Sequence, residues 1–137
     1  MHFGERLFFG FSEESVICDA ALYTLYPKEG ISCEKMFCYL NSTIFLITLE
    51  LYGMRMGGGD LQIKVMFYEE MPVPDLKSIE INFDQNKLLN RQPLSYNEEV
   101  KQTDRYELDR AILKALGFPE NELDRLVDEL HRAFVWV

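Results

Sequence analysis

The chain has 137 residues, 47% of them hydrophobic and 27% charged, with a formal net charge of −9. That length suits one domain able to bury about two-thirds of its unfolded surface. The acidic balance speaks against an independent nucleic-acid binder, whose phosphate contacts need clustered Lys and Arg.

Neither part of the chain escapes that balance: residues 1–74 hold 5 basic and 10 acidic side chains, and residues 75–137 hold 9 and 13. The longest apolar run, Ile44 to Leu51, is interrupted by Thr48 and Glu50, too short for a membrane span. No basic stretch followed by an apolar segment and a small-residue cleavage site opens the sequence, so a cytoplasmic protein with no membrane partner is expected. Cys18, Cys33 and Cys38 fit no metal-ligand spacing, and His2 and His131 lie at opposite ends. Buried thiols in a reducing compartment, and no metal, are the expectation.

Residues 5–26 read as strand material: Leu7, Phe8, Phe9 and Phe11, then Val16 to Cys18, then Ala21 to Tyr26. Tyr26-Pro27-Lys28-Glu29-Gly30 reads as a turn. Ser32 then N-caps a helix whose apolar face runs through Met36, Phe37, Leu40, Ile44, Ile47 and Leu51. Asn41 and Ser42 compete for backbone groups in its middle, which predicts a break with Ser42 capping a second helix. Gly53 terminates it. Leu61, Ile63, Val65 and Phe67 alternate with polar and mixed neighbours, predicting a half-buried strand that Pro72 and Pro74 end. Ile79, Ile81 and Phe83 suggest one more short strand. Asp104 with Glu107 resembles a capping box, and Leu108, Ala111, Ile112, Ala115 and Leu116 form one helix face. Gly117 ends that helix and Pro119 opens the next, whose face is Leu123, Leu126, Val127, Leu130 and Phe134. The two make an antiparallel hairpin.

Chemistry is harder to place. Gly57-Gly58-Gly59 invites a phosphate-binding reading, yet no Lys-Ser or Lys-Thr pair follows and a strand rather than a helix comes next. Pro74-Asp75 followed by Glu99-Val100-Lys101 has the order of a metal-dependent nuclease signature, but the surrounding residues lack strand alternation. With two histidines no Ser/His/Asp or Cys/His grouping is expected. The pairs Glu13-Glu14, Glu69-Glu70 and Glu98-Glu99 read as solvated faces. The aromatic residues of the first 52 positions read as core, with one or two available to stack on a displaced base.

Three stretches carry a resemblance. Tyr23-Thr24-Leu25-Tyr26-Pro27-Lys28, Leu40-Asn41-Ser42-Thr43, and the block from Glu50-Leu51-Tyr52-Gly53-Met54-Arg55 through Gly57-Gly58-Gly59-Asp60-Leu61-Gln62-Ile63-Lys64-Val65 to Met71-Pro72-Val73-Pro74 resemble the C-terminal target-recognition domain of adenine-specific DNA methyltransferases. This is the TaqI-like specificity domain of type I and type IIG restriction–modification enzymes. Leu108-Asp109 and Leu116-Gly117-Phe118 are similar to the tail of its larger members.

The resemblance implies a prokaryotic, non-catalytic DNA target-recognition domain. It would position, on double-stranded DNA, a methyltransferase catalytic domain that carries S-adenosylmethionine and an Asn-Pro-Pro-Tyr-like motif. This chain has no Pro-Pro pair and no cofactor motif, so no catalytic residue and no bound cofactor are expected in it. Arg55, Gly57, Gly58, Gly59 and Lys64 occupy the family's loop and strand and are the DNA-binding candidates. Arg55 either reads a phosphate or guanine edge or caps the helix ending near Gly53. A second reading makes the chain a protein-interaction module docking through Phe134 and Trp136. The expected fold is α/β (α+β): a mixed sheet, a broken apolar helix packed on it, and the C-terminal helical hairpin. Residues 1–102 would form the recognition-like core and 103–137 the hairpin packed on the same domain.

Overall fold

The structure is a computed structural model; it describes the backbone of residues 2–3, and residues 7–20, 22–56 and 61–134. Helix α1 spans Cys33–Leu40 and α2 spans Thr43–Tyr52. The break between them falls where Asn41 and Ser42 stand. Ser32 Oγ accepts from Lys35 N at 3.1 Å and Ser42 Oγ from Phe45 N at 3.3 Å, so each helix starts on a serine cap. The turn before α1 forms as well: Ile31 N donates to Lys28 O at 3.0 Å, and Gly30 takes φ 86°, a value that favours glycine.

The buried face overlaps the expected one in part: Phe37 is buried and Met36, Leu40 and Ile44 pack against the core, but its centre has shifted. Phe37, Cys38 and Tyr39 are buried in α1, and Phe45, Leu46 and Leu49 in α2, while Leu51 is 75% exposed. A single 3.6-residue phase does not run across a break. Helix α2 restarts at Thr43 and buries a stripe at its own spacing.

The sheet is small. Strands β1 (His2–Phe3), β2 (Met54–Arg55) and β3 (Leu61–Gln62) take the order β1-β3-β2, and both pairings are antiparallel. The expected mixed sheet is therefore not formed among the described residues. The short connection from β2 to β3 permits a hairpin, whereas parallel pairing needs a long crossover. The expected strand over 61–68 also stops early, and Val65–Glu70 form helix α3. The ladder explains why. Met54 pairs with Gln62 and Arg55 with Leu61; continued in that register, Lys64 would face Tyr52, which belongs to α2. With no partner beyond Ile63, the backbone of 65–70 satisfies its own hydrogen bonds by coiling.

Gly53 joins α2 to β2 with φ −77°, so it is not there for a left-handed turn. Space is the reason. An added Cβ would lie 2.6 Å from both Ile63 Cδ1 and Leu61 Cδ1 and 2.8 Å from the Leu49 carbonyl oxygen. Both side chains are buried and the carbonyl is backbone, so none can swing away. Gly53→Ala is expected to cost about 1–3 kcal/mol. A urea midpoint equal to that of the parent would refute this account of the glycine.

Two other expected strands are absent among the described residues. Residues 7–19 run without a ladder: Phe8 and Phe11 set their ring edges on Phe37, Phe9 sets its edge on Phe45, and the stretch beyond Phe11 is exposed. Asn41 substitutes for a partner strand, accepting from Phe9 N at 3.0 Å and donating to Phe9 O at 2.8 Å. Ile79, Ile81 and Phe83 do alternate, half-buried against exposed neighbours, but no strand lies beside them. Lys35 Nζ takes the Ile79 carbonyl instead, at 2.7 Å. The pattern of alternation was correct, and only pairing, which is long-range, was missing.

The polar stretch after Phe83 folds into two one-turn helices, α4 (Asn86–Leu89) and α5 (Tyr96–Glu99). Then come α6 (Thr103–Ala115), a 3-10 turn (Glu120–Glu122) and α7 (Leu123–Ala133). Gly117 at φ 91° closes α6: its N–H donates to Lys114 O and that of Phe118 to Leu113 O, the Schellman arrangement. Pro119 precedes the 3-10 turn rather than opening α7 directly. Contacts of Asp109 with His131, Arg110 with Asp124, and Leu113 with Leu123 and Val127 run in opposite chain directions, so α6 and α7 are antiparallel.

The capping box is not made. Gln102 is the N-cap without a side-chain bond, Asp104 bonds Arg91, and Glu107 pairs with Lys87. Charged partners with two or more donors outcompete a single backbone N–H for those carboxylates. One core cluster contains Phe37, Phe45, Leu49, Leu61, Ile63, Leu88, Tyr96, Leu108 and Ile112, so the helix pair, β3 and α6 share it.

Candidate functional site

Two groupings of polar side chains bear on function: one buried around the α1–α2 break, one exposed on β2 and at the start of α3. In the buried group, α6 presents Arg105, Leu108, Asp109 and Ile112 inward, all within 1% of full burial. Asp109 accepts from Thr43 N at 2.7 Å, from Thr43 Oγ1 at 2.5 Å and from His131 Nε2 at 2.6 Å. The last contact requires the tautomer with hydrogen on Nε2. Tyr96 OH donates to Thr43 Oγ1 at 3.0 Å, and burial raises the pKa of its phenol well above the ordinary tyrosine value. Arg105 donates through Nη1 to the Asn41 carbonyl and, at 3.4 Å, through Nη2 to Glu99; its Nε has no partner among the described residues.

Beside it, Arg91 grips two carboxylates at once. Its nitrogens reach Glu99 at 2.7 and 2.7 Å and Asp104 at 2.6 and 2.9 Å. Glu99 also accepts from Leu94 N at 2.8 Å. Burial alone would raise the Glu99 pKa; the Arg91 bonds, the Leu94 N–H and the Arg105 charge outweigh it and hold the carboxyl below its usual value.

A hydroxyl, an imidazole and a carboxylate are thus brought together where none was expected. The order decides their chemistry. Asp109 sits in the middle, bonded to both Thr43 and His131, so the hydroxyl hydrogen points to a carboxylate with no imidazole to take it. Thr43 is fully buried besides. Nucleophilic catalysis needs an exposed hydroxyl bonded to a base that is oriented by a third group. This grouping ties helices together.

The Glu98-Glu99 pair is split by the fold: Glu98 is exposed, and Glu99 is 4% exposed within the arginine network, so a solvated face describes only the first. Nor do the nuclease-like acids meet: Asp75 accepts from Lys77 N in an exposed turn, and Lys101 is exposed. No group of three or more His, Cys, Asp or Glu residues that could hold a metal occurs among the described residues. Of the cysteines only Cys38 is buried, its thiol pushed up to about 11 by burial and then by Glu34 and Asp84. Cys18 is exposed because the stretch beyond Phe11 does not pack.

The surface group holds the DNA-binding candidates. Arg55 lies on β2 with its side chain 77% exposed and pairs with Glu50 of α2, not with the terminal carbonyls of that helix. Lys64 is exposed at the start of α3 and makes no ion pair among the described residues. Gly57, Gly58 and Gly59, like Trp136, lie outside the described residues. Phe134 sets its ring edge on Tyr96, with centroids 4.0 Å apart, so its apolar surface packs within the chain.

Sequence reasoning missed the buried network. The signal was there at positions 105, 108, 109 and 112: i, i+3, i+4, i+7 is a core stripe, and two of its four members are charged. Comparison with models of known protein families, with curated proteins and with solved structures finds no match to this chain. No helix among the described residues is long and apolar enough to cross a membrane.

Proposed function

We propose that the chain is a non-catalytic DNA target-recognition domain. In this reading it works beside an adenine-specific methyltransferase domain that supplies S-adenosylmethionine and the chemistry, and it binds no cofactor itself. The observation that carries the reading is that Arg55 on β2, before the glycine run, and Lys64 at the start of α3, after it, are both in solvent on either side of the β2–β3 pairing. The resemblance places the family's loop at this position.

Magnitudes favour Arg55 as a reader. Its guanidinium is 77% exposed although the Glu50 side chain is only 18% exposed, so opening the pair costs about 1 kcal/mol or somewhat more, which a bidentate contact to a guanine edge, discriminating by about 1–3 kcal/mol, can offset. The arginine can therefore leave Glu50 for a base. With a net charge of −9 the chain contributes few phosphate contacts, so affinity comes mainly from the partner domain and selectivity from the hairpin.

The test is selection from a random duplex pool by the complete polypeptide encoded in the native reading frame. The parent is expected to enrich one motif, and Arg55→Ala to lose about 5- to 150-fold in affinity for it. A parent that enriches no motif, or an Arg55→Ala variant with unchanged preference, overturns the reading.

A further inference from the structure

Glu50 is a poor choice for stability. It stands in the last turn of α2, where the helix dipole disfavours a negative charge. Its side chain is largely covered, and Oε2 is buried with no hydrogen-bond partner among the described residues. A buried acceptor left without a donor destabilises a fold. Its other oxygen, Oε1, accepts from Arg55, whose side chain stands largely in solvent. Residues that break local rules without a compensating gain in stability concentrate at functional sites. The asymmetry of the pair has a consequence when Arg55 is used. The exposed guanidinium can swing away, and the covered carboxylate stays behind without its donor, which is costly. A ligand that draws Arg55 off is therefore best matched when it also brings a donor to Glu50 Oε1. A bare phosphate offers acceptors alone and repels the carboxylate. A G·C base pair offers both, because its major-groove edge sets the guanine N7 and O6 acceptors beside the cytosine N4 amino donor. An A·T pair separates its two acceptors by the adenine amino group, so the arginine loses its bidentate contact.

We infer that Arg55 and Glu50 together read one G·C base pair, Arg55 donating to the guanine and Glu50 Oε1 accepting from the cytosine N4 amino group. The inference rests on the DNA-recognition reading and narrows it to a base-pair identity. Glu50 is then a specificity-determining residue and more than a counter-ion. It rejects phosphate by charge and rewards the one base pair that satisfies both members of the opened ion pair.

The test uses the complete polypeptide and the duplex that it enriches from a random pool. At the base pair whose preference Arg55→Ala relaxes, cytosine is replaced by N4-methylcytosine. That base keeps its Watson–Crick bond and loses the N4 hydrogen facing the groove. The parent is expected to bind the modified duplex about tenfold more weakly. Glu50→Ala should bind the unmodified duplex about tenfold more weakly than the parent does, and the two duplexes alike within about twofold. Glu50→Gln keeps the shape of the side chain and removes the charge from the end of α2. Its urea midpoint should equal or exceed that of the parent, whereas a structural glutamate would lower it. A parent indifferent to the methyl group, a Glu50→Ala variant still sensitive to it, a relaxed position that is not G·C, or a lowered Glu50→Gln midpoint overturns this inference. Each of these leaves the role of Arg55 standing. A parent that enriches no motif, or an Arg55→Ala variant with unchanged preference, sinks both readings, so the two failures are told apart.

Discussion

Asp109→Ala is expected to destabilise the protein by about 3–5 kcal/mol, the cost of breaking a buried hydrogen-bonded charge. Three donors lose their acceptor at once: the Thr43 backbone N–H, the Thr43 hydroxyl and His131 Nε2. The N–H belongs to the first turn of α2, where no helical carbonyl can replace the lost partner. His131 would release its hold on α6, leaving α7 attached mainly through Leu123 and Val127. Against a typical domain stability of about 5–15 kcal/mol this is a large fraction. In thermal unfolding it corresponds to a lower midpoint by roughly 10–20 °C. Asp109→Asn keeps one acceptor oxygen and should fall between the parent and the alanine variant. Urea unfolding of the three proteins decides the matter: an alanine variant within about 1 kcal/mol of the parent would mean that the network is ornamental.

The second large effect belongs to Glu99. Its removal leaves Arg91 with Asp104 and the Gln92 carbonyl, and strands Arg105 with only the Asn41 carbonyl. Glu99→Ala is expected to cost about 3–5 kcal/mol at neutral pH. The same carboxylate sets an acid dependence whose sign follows from its pKa, which the fold lowers from 4.5. A group depressed in the folded state contributes its full stability above the unfolded value. That contribution is lost as pH falls from about 4.5 through the lower folded value. Unfolding free energy of the parent should therefore decline below pH 4.5, and Glu99→Gln should be less stable at neutral pH with a shallower acid decline. Parallel acid slopes for the two proteins would show that Glu99 is not a source of that dependence.

The same residues separate what could be read along the chain from what could not. Ser32 and Ser42 as caps, the interruption at Asn41, the turn at Gly30 and the stop at Gly117 were all legible. Each is a bond or a dihedral preference acting within a few residues. The helical hairpin was legible for a related reason, since two apolar faces joined by a short connection can only fold back on each other.

The sheet was not legible. Alternation at 61–68 and at 79–83 says which side chains face inward, but a ladder needs a partner strand. Where β2 ended, α3 formed; where no strand lay alongside, Lys35 took the carbonyl of Ile79. The arginine and aspartate clusters escaped for the opposite reason. Asp104, Glu107 and Glu99 each have a plausible local role, as cap or solvated acid, and each is claimed by a cation 8 to 20 residues away.

Of the DNA-binding candidates, Arg55 is located on β2 and Lys64 at the start of α3, and the pairing of β2 with β3 that positions Arg55 is tertiary. By itself the sequence determined where α1 begins, where it breaks into α2 and where α6 ends, because capping and backbone dihedrals are local energies. Tertiary structure alone decided which alternating segments became strands and which charges were buried. Both outcomes depend on partners distant in the chain, whose approach only the assembled core can bring about.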